Sequence, residues 1–333
     1  GAAEYIAELM DKVPATLVKL LPAIIFIVAC LLSFSTGTSW GTFGILIPIV
    51  TAIFPAESEL LIIGMSACLA GAVCGDHCSP ISDTTIMATK TQGCRMSDKF
   101  RANIAIALPA ALLTIAVYLF LGAGIQADTS PGGINLLNIL PYILVFVLAL
   151  CGMNVIWVLM VGICSAAIIG LYQGSMTAET LWTATQSGIL GMHDLIIVTI
   201  IAAVIMDQLR KRGAIEWLIM NMGRLVSTRR GAELSIAGAV IVVDILTANN
   251  TIAILAVGPV ARSISYRYGI QPKRAASILD TMSCFAQGLI PWGAQLLIAA
   301  GLASVNPLDI MPYLYYPFLL GAITIIYILF VKK

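Results

Sequence analysis

Residues 75–85 read GDHCSPISDTT. Two Asp, one His, two Ser and two Thr fall within these eleven positions, between the apolar runs LLIIGMSACLAGAVC (60–74) and IMAT (86–89). Apolar flanks of this kind belong in lipid or in a protein core. The groups between them need water, a proton or an ion. Pro80 adds a backbone argument, because proline lacks the helix donor and disfavours helix in the residue before it. The stretch therefore reads as a deliberate interruption of an apolar helix, and where that interruption sits decides the fold.

Composition places it in a membrane. Hydrophobic residues make up 59% of 333 and charged residues 11%, against about 25% charged in soluble domains, and mean hydropathy is +0.98. Net charge is +1, with no basic tract interleaved with aromatics, which argues against nucleic acid as a partner. Eight Cys occur without a CxxC pair, mostly inside apolar runs. They read as small buried residues, with a metal cluster of Cys74, His77 and Cys78 as the lesser alternative. No cleavable signal peptide is visible. Apolar stretches near 20 residues predict full spans at 100–122, 133–150, 152–172, 190–209 and 310–331. Two amphipathic stretches, 1–13 and 213–226, are too polar to span and suit the membrane surface.

The chain repeats itself. Gly1-Ala2 and Glu4 match Gly213-Ala214 and Glu216 at an offset of 212. Further on, Thr36, Pro48, Pro80 and Asp98 match Thr247, Pro259, Pro291 and Asp309 at an offset of 211. The expected halves are residues 1–127 and 128–333, with about 70 residues of a complete first copy missing ahead of residue 1. The connection at 55–59 is acidic and the next is basic (Lys90, Arg95, Lys99, Arg101). In the second copy the order reverses, with Arg262, Arg267, Lys273 and Arg274 first and only Asp309 afterwards. Equivalent loops then face opposite sides by the positive-inside rule, so the copies are inverted repeats of the secondary-transporter kind. This orientation puts loops 90–101, 210–230 and 262–274 in the cytoplasm.

Each copy holds two interruptions. In STGTSWGT (35–42) and TANNT (247–251), polar residues separate apolar arms. The arms at 43–54, 234–246 and 252–261 hold 12, 13 and 10 residues, about 15–20 Å of helix against roughly 30 Å of hydrocarbon. They suit re-entrant hairpins, with two short tilted spans as the alternative. The second interruptions are 75–85 and SCFAQGLIPWGAQ (283–295). Non-helical backbone at membrane depth survives only where it is buried in protein or lines a cavity, so all four should converge on one central site. The expected fold is all-α and polytopic, with two inverted repeats, re-entrant hairpins and broken transmembrane helices.

The chemistry follows from four intramembrane acids, Asp76, Asp83, Asp244 and Asp280, with no Lys or Arg in the same apolar runs apart from Lys19 near one end. Such a carboxylate must be neutralised by a proton or a cation. Hard cations take oxygen ligands, which Ser79, Ser82, Thr84, Thr36, Thr38, Ser39, Thr247, Asn249, Asn250, Thr251, Gln287 and Gln295 supply. His77 suits a proton relay or a satisfied buried position equally. Asp76 and Asp83 are the expected Na+ ligands. Plainer readings stand beside these. Each hydroxyl can bond the preceding turn, Asp83 can cap a helix, Asp280 can pair with Arg274, and Asp207 can pair with Arg210 and Lys211. No cofactor is expected beyond Na+ and H+ as transported ions. The partners expected are the lipid bilayer, a small cation and a proton, a small carboxylate or amino acid, and a second copy in a homodimer.

Four segments, FSTGTSWGTFGILIPI, GAVCGDHCSPISDTTIMAT, TANNTIAILAVGPVAR and ASILDTMSCFAQGLIPWGAQ, resemble the NhaC-type sodium/proton antiporters. The resemblance covers most of 1–331 and implies an inner-membrane secondary transporter with two inverted repeats. It also implies an ion site built from Asp76, Ser79, Ser82, Asp83 and Thr84, opposed by a hairpin tip at Asn249, Asn250 and Thr251. Members of the family differ in cargo. A Na+- or H+-coupled carrier of an organic acid or amino acid is therefore the alternative, and an intramembrane protease fits poorly.

Overall fold

The structure, a computed structural model, describes residues 19–54, 59–123, 140–151, 153–174, 176–191, 227–303 and 305–331, with scattered positions between 196 and 217. The amphipathic stretch 1–13, nearly all of 213–226, and much of the spans expected at 133–150 and 190–209 lie outside the described residues.

Among the described residues the chain is helical, without strands. A helical pair opens it, α1 (Leu21–Thr36) and α2 (Ser39–Ile53). An interrupted helix follows, α3 (Glu59–Cys78) and α4 (Asp83–Gln92), and then a long α5 (Met96–Ala123). Next come α6 (Leu140–Leu150), α7 (Val155–Tyr172) and α8 (Ala178–Gly191). The first pattern then recurs. The pair is α9 (Arg229–Thr247) and α10 (Asn250–Arg267). The interrupted helix is α11 (Pro272–Gln287) and α12 (Ala294–Ala303). The short α13 (Pro307–Ile310) and a 3₁₀ turn lead into α14 (Tyr315–Phe330). Among the described residues two segments are long and apolar enough to cross a membrane, the interrupted Glu59–Gln92 and Met96–Ala123, or three if one bent pair counts as a span.

Packing repeats as well. Each pair packs on the first part of its own interrupted helix, α1 and α2 on α3, α9 and α10 on α11. Contacts between the halves are reciprocal: α2 meets α12 as α10 meets α4, and α3 meets α14 as α11 meets α5. Close approach of α1 to α3 depends on small residues. A Cβ at Gly71 would meet Phe26 O, and one at Gly75 would meet Cys30 O, each at 2.2 Å.

The pairs differ from the expectation of short arms. α1, α2, α9 and α10 hold 16, 15, 19 and 18 residues, about 22–29 Å at 1.5 Å per residue. The polar residues that the sequence offers as breaks stay helical because their hydroxyls bond their own backbone. Ser35 Oγ donates to Leu31 O (2.9 Å), Thr42 Oγ1 to Thr38 O (3.1 Å) and Thr247 Oγ1 to Val243 O (2.8 Å). Only Gly37-Thr38 and Ala248-Asn249 leave the helix. The break at 75–85 shrinks likewise to residues 79–82, and that at 283–295 to 288–293.

Candidate functional site

The first tip turns at Gly37, whose φ of +69° ends α1 with its N–H bonded to Ser33 O. The second turns at Ala248, 211 residues on, with φ of +46°, which costs an L-residue roughly 1–2 kcal/mol. Thr36 Oγ1 lies 3.3 Å from Thr38 O and Thr247 Oγ1 lies 3.2 Å from Asn249 O, so both threonines fasten their own tip. Asn249 caps α10, accepting from Ile252 N at 3.0 Å, and Asn250 accepts from Thr251 N at 3.0 Å. Thr38 and Thr251 are half-buried at the two tips.

Pro80 ends α3 one turn after Asp76. Ser79 Oγ then donates to Phe34 O (2.8 Å), tying the break to the first tip. Trp292 Nε1 donates to Ile245 O (3.2 Å) at the corresponding place in the second half. Ser82 stands at the N-cap of α4 yet makes no capping bond. Its hydroxyl is committed elsewhere. It donates to Asp76 Oδ1 at 2.6 Å and lies 2.9 Å from Thr84 Oγ1. Ser39, the first residue of α2, donates to Asp76 Oδ2 at 3.0 Å. Gln295, in the first turn of α12, donates from Nε2 to Ser39 Oγ at 3.0 Å. Asp76 is 7% exposed, and among the described residues no Lys or Arg pairs with it. Both halves thus reach one buried carboxylate through neutral groups.

The structure brings Asp76, Ser39, Ser82, Thr84 and Gln295 together and separates Asp83 from them. Asp83 begins α4 and is exposed, where the N-terminal helix dipole favours an acid. Of the two expected Na+ ligands, Asp76 is buried in this cradle and Asp83 does not join it. Among the described residues no group of three His, Cys, Asp or Glu is arranged to hold a metal, which removes the Cys74, His77, Cys78 cluster.

The expectation of acids without a base is corrected too. Lys99 reads from sequence as a loop cation, but it is 2% exposed and its Nζ lies 2.6 Å from Asp280 Oδ2. It also donates to Thr85 Oγ1 (2.6 Å) and to His77 O (3.2 Å), the carbonyl beside Asp76. Arg274 therefore does not serve Asp280; it pairs with Glu233 at 2.8 Å. Asn103 Nδ2 donates to Asp280 Oδ2 and to His77 Nε2, each at 2.9 Å. His77 Nδ1 lies 3.0 Å from Tyr316 OH, and its Nε2 lies 3.1 Å from Thr281 Oγ1 on α11. His77 is thus a satisfied buried side chain that joins α3, α5, α11 and α14. The Lys99 signal was in the sequence, since Lys99 lies one turn from the apolar run of α5. Loop charge patterning hid it.

Asp244 and Gln287 are buried at 0% and 2% exposure beside the second tip and break. Among the described residues, neither Gln287 amide atom has a hydrogen-bond partner, and the Asp244 carboxylate meets no side-chain donor, only the Gln287 backbone. Gln287 stands 211 residues after Asp76, and Gly293 stands 211 after Ser82. A Cβ at Gly293 would lie 3.3 Å from Gln287 Nε2, so the second half keeps the contact and lacks the acid and the hydroxyl. Asp207 and Lys211 pair at 2.6 Å on an exposed face.

A family model described as the Na+/H+ antiporter family matches residues 1–123 and 132–332. The chain belongs to that family. It is 25% identical to the Na+/H+ antiporter NhaC of Alkalihalophilus pseudofirmus over 90% of this chain and 72% of that protein. The malate-2H+/Na+-lactate antiporter of Bacillus subtilis is 22% identical over 90% of this chain and 71% of its own length. An uncharacterised Haemophilus influenzae protein is 45% identical over 36% of this chain, a match that spans only 23% of its length. The protein is thus an integral membrane protein from a family of transporters.

Proposed function

We propose that the protein exchanges Na+, or Li+, for H+ across the membrane, the two ions competing at Asp76. The observation that carries this reading is the cradle itself. Asp76 is buried among the hydroxyls of Ser39 and Ser82, with no base paired to it. An ionised carboxylate so placed lacks internal charge compensation, so it holds a proton or a cation. The Ser39 and Ser82 hydroxyls and the Gln295 amide oxygen, which is buried without a partner, are the hard oxygen ligands that a small cation prefers. Ser39 comes from the first tip and Gln295 from the second break. Relative motion of the halves then makes and unmakes the site, as alternating access between inverted repeats requires. The related Na+/H+ antiporters NhaC of Alkalihalophilus pseudofirmus and Bacillus subtilis support the same exchange.

The proposal extends to an inner-membrane setting, cytoplasmic loops at 90–101, 210–230 and 262–274, repeat halves at 1–127 and 128–333, and no cofactor besides the ions. Lys99 lies in the first of these loops by sequence but is buried beneath it. A coupled organic-acid carrier is the second reading, kept by the malate/lactate relative. Lys99 weighs against it. It is the one Lys or Arg buried among the described residues, and Asp280 already occupies it. The test is sodium-driven proton flux in proteoliposomes of the full-length protein. Flux that survives Asp76→Asn, or flux that appears only with a labelled carboxylate present, would reject the reading.

A further inference from the structure

A cavity of about 560 Å³ opens between the ends of four helices, the starts of α5, α9 and α11 and the end of α14. Charge there is one-sided. Five cations line it against the two acids Asp98 and Glu233. Both acids are already engaged. Arg95 bonds Asp98 at 3.0 Å from outside the cavity. Arg274 holds Glu233 at 2.8 Å, and Arg229 lies 3.7 Å from it. Arg101, Arg230 and Lys273 remain, all exposed and without an ion pair among the described residues.

Helix ends sharpen the imbalance. α9 and α11 begin at this cavity with no acid in their first turns. Arg229 and Arg230 open α9, and Lys273 and Arg274 follow Pro272 in α11. A helix N-terminus already carries partial positive charge and favours an anion, so cations there add like charge to like. Ser277, one turn into α11, lines the cavity and is 2% exposed. Its hydroxyl adds a donor to the same lining. The opposite wall is apolar, with Ala102, Ala105, Ile328 and Val331. It continues onto the outward faces of α5 and α14, where Leu108, Leu112, Ile325 and Leu329 are exposed.

We propose that this cavity binds the phosphate of an anionic phospholipid. Arg101, Arg230 and Lys273 receive the headgroup, the Ser277 hydroxyl donates to it, and an acyl chain follows α5 and α14. A soluble phosphate satisfies the cations but makes no use of the apolar wall, which is why the lipid is favoured. Basic pockets between helices on the cytoplasmic side are known places for such headgroups. Arg101 lies two residues from Lys99 on α5 and Ser277 three from Asp280 on α11, so the lipid clamps the two helices that this ion pair joins.

The test uses the full-length protein in phosphatidylcholine nanodiscs, with and without phosphatidylglycerol. Phosphatidylglycerol is expected to raise the unfolding midpoint by about 3 °C or more, as ligand linkage requires. The variant Arg101→Gln/Arg230→Gln/Lys273→Gln should match the natural protein in phosphatidylcholine and lose that gain. A charge-matched control, Lys90→Gln/Arg262→Gln/Arg267→Gln, should keep it. Protection that persists in the cavity variant, is lost equally in the control, or is reproduced by inorganic phosphate alone overturns the proposal. Proton flux is not the readout, so the result is independent of the exchange reaction.

Discussion

The two breaks, 211 residues apart, show how one backbone design acquires one charged site. Each break follows a helix that packs on a tight tip, each contains a proline, and each ties a side chain to a carbonyl of its own tip, Ser79 to Phe34 and Trp292 to Ile245. Their contents diverge. The first places Asp76, Ser82 and Thr84 where the second has Gln287, Gly293 and Gln295. The backbone opening is shared while the titratable group is not. The acids differ in the same way. Asp280 is met by Lys99, whereas Asp76 meets only neutral groups. A carboxylate with a resident cation is structural, and one without it is available to a transported ion.

The sharpest way to break that distinction is to remove the resident cation. Lys99→Met leaves Asp280 buried without its lysine and should destabilise the protein by about 3–5 kcal/mol. Adding Asp280→Asn should restore much of the loss, as read in denaturant titrations of the purified protein. If Lys99→Met costs nothing, the two acids are not different in kind.

Asp76→Asn should lower sodium-driven flux about 100-fold or more, in line with the roughly 3 kcal/mol lost when a buried charged ligand is removed. Gln287→Asn should have the smaller effect of the two, and equal losses would erase the asymmetry between the breaks.

The tips give the next comparison. Gly37→Ala should destabilise by about 2 kcal/mol, since φ is positive there and the new Cβ would meet Ile81 Cγ1 at 2.7 Å. Ala248→Gly relieves the same conformation and should stabilise by less than about 1 kcal/mol. Thermal unfolding of the pair in one detergent checks both signs.

Ser82→Ala removes one hydrogen bond to a charged group, worth about 1.5 kcal/mol. The sodium concentration giving half-maximal flux should rise about tenfold. Ser39→Ala should act alike. An unchanged value in both would mean that Asp76 is held by something other than these hydroxyls.

Much of this was legible in the chain. Membrane residence followed from composition, and both breaks from proline and glycine inside apolar runs. Thr36 and Thr247, which the sequence pairs at an offset of 211, each lie at a tip and bond a carbonyl of that tip. Break lengths were less legible, because a serine or threonine that bonds its own helix looks the same in sequence as one that ends it. Asp83 misled because it shares a polar run with Asp76, and four intervening non-helical residues were enough to turn it outward.

Sequence by itself determined the class of fold, the places where helices fail, and the set of acids and oxygens from which a site is drawn. Those follow from local rules, since proline lacks a donor and lipid accepts no unpaired backbone. Tertiary structure alone decided that Asp280 receives a cation while Asp76 and Asp244 are buried without one. Lys99 and Asp280 lie 181 residues apart, and Gln295 reaches Ser39 across 256. Charge compensation depends on distance in space, which no local pattern encodes.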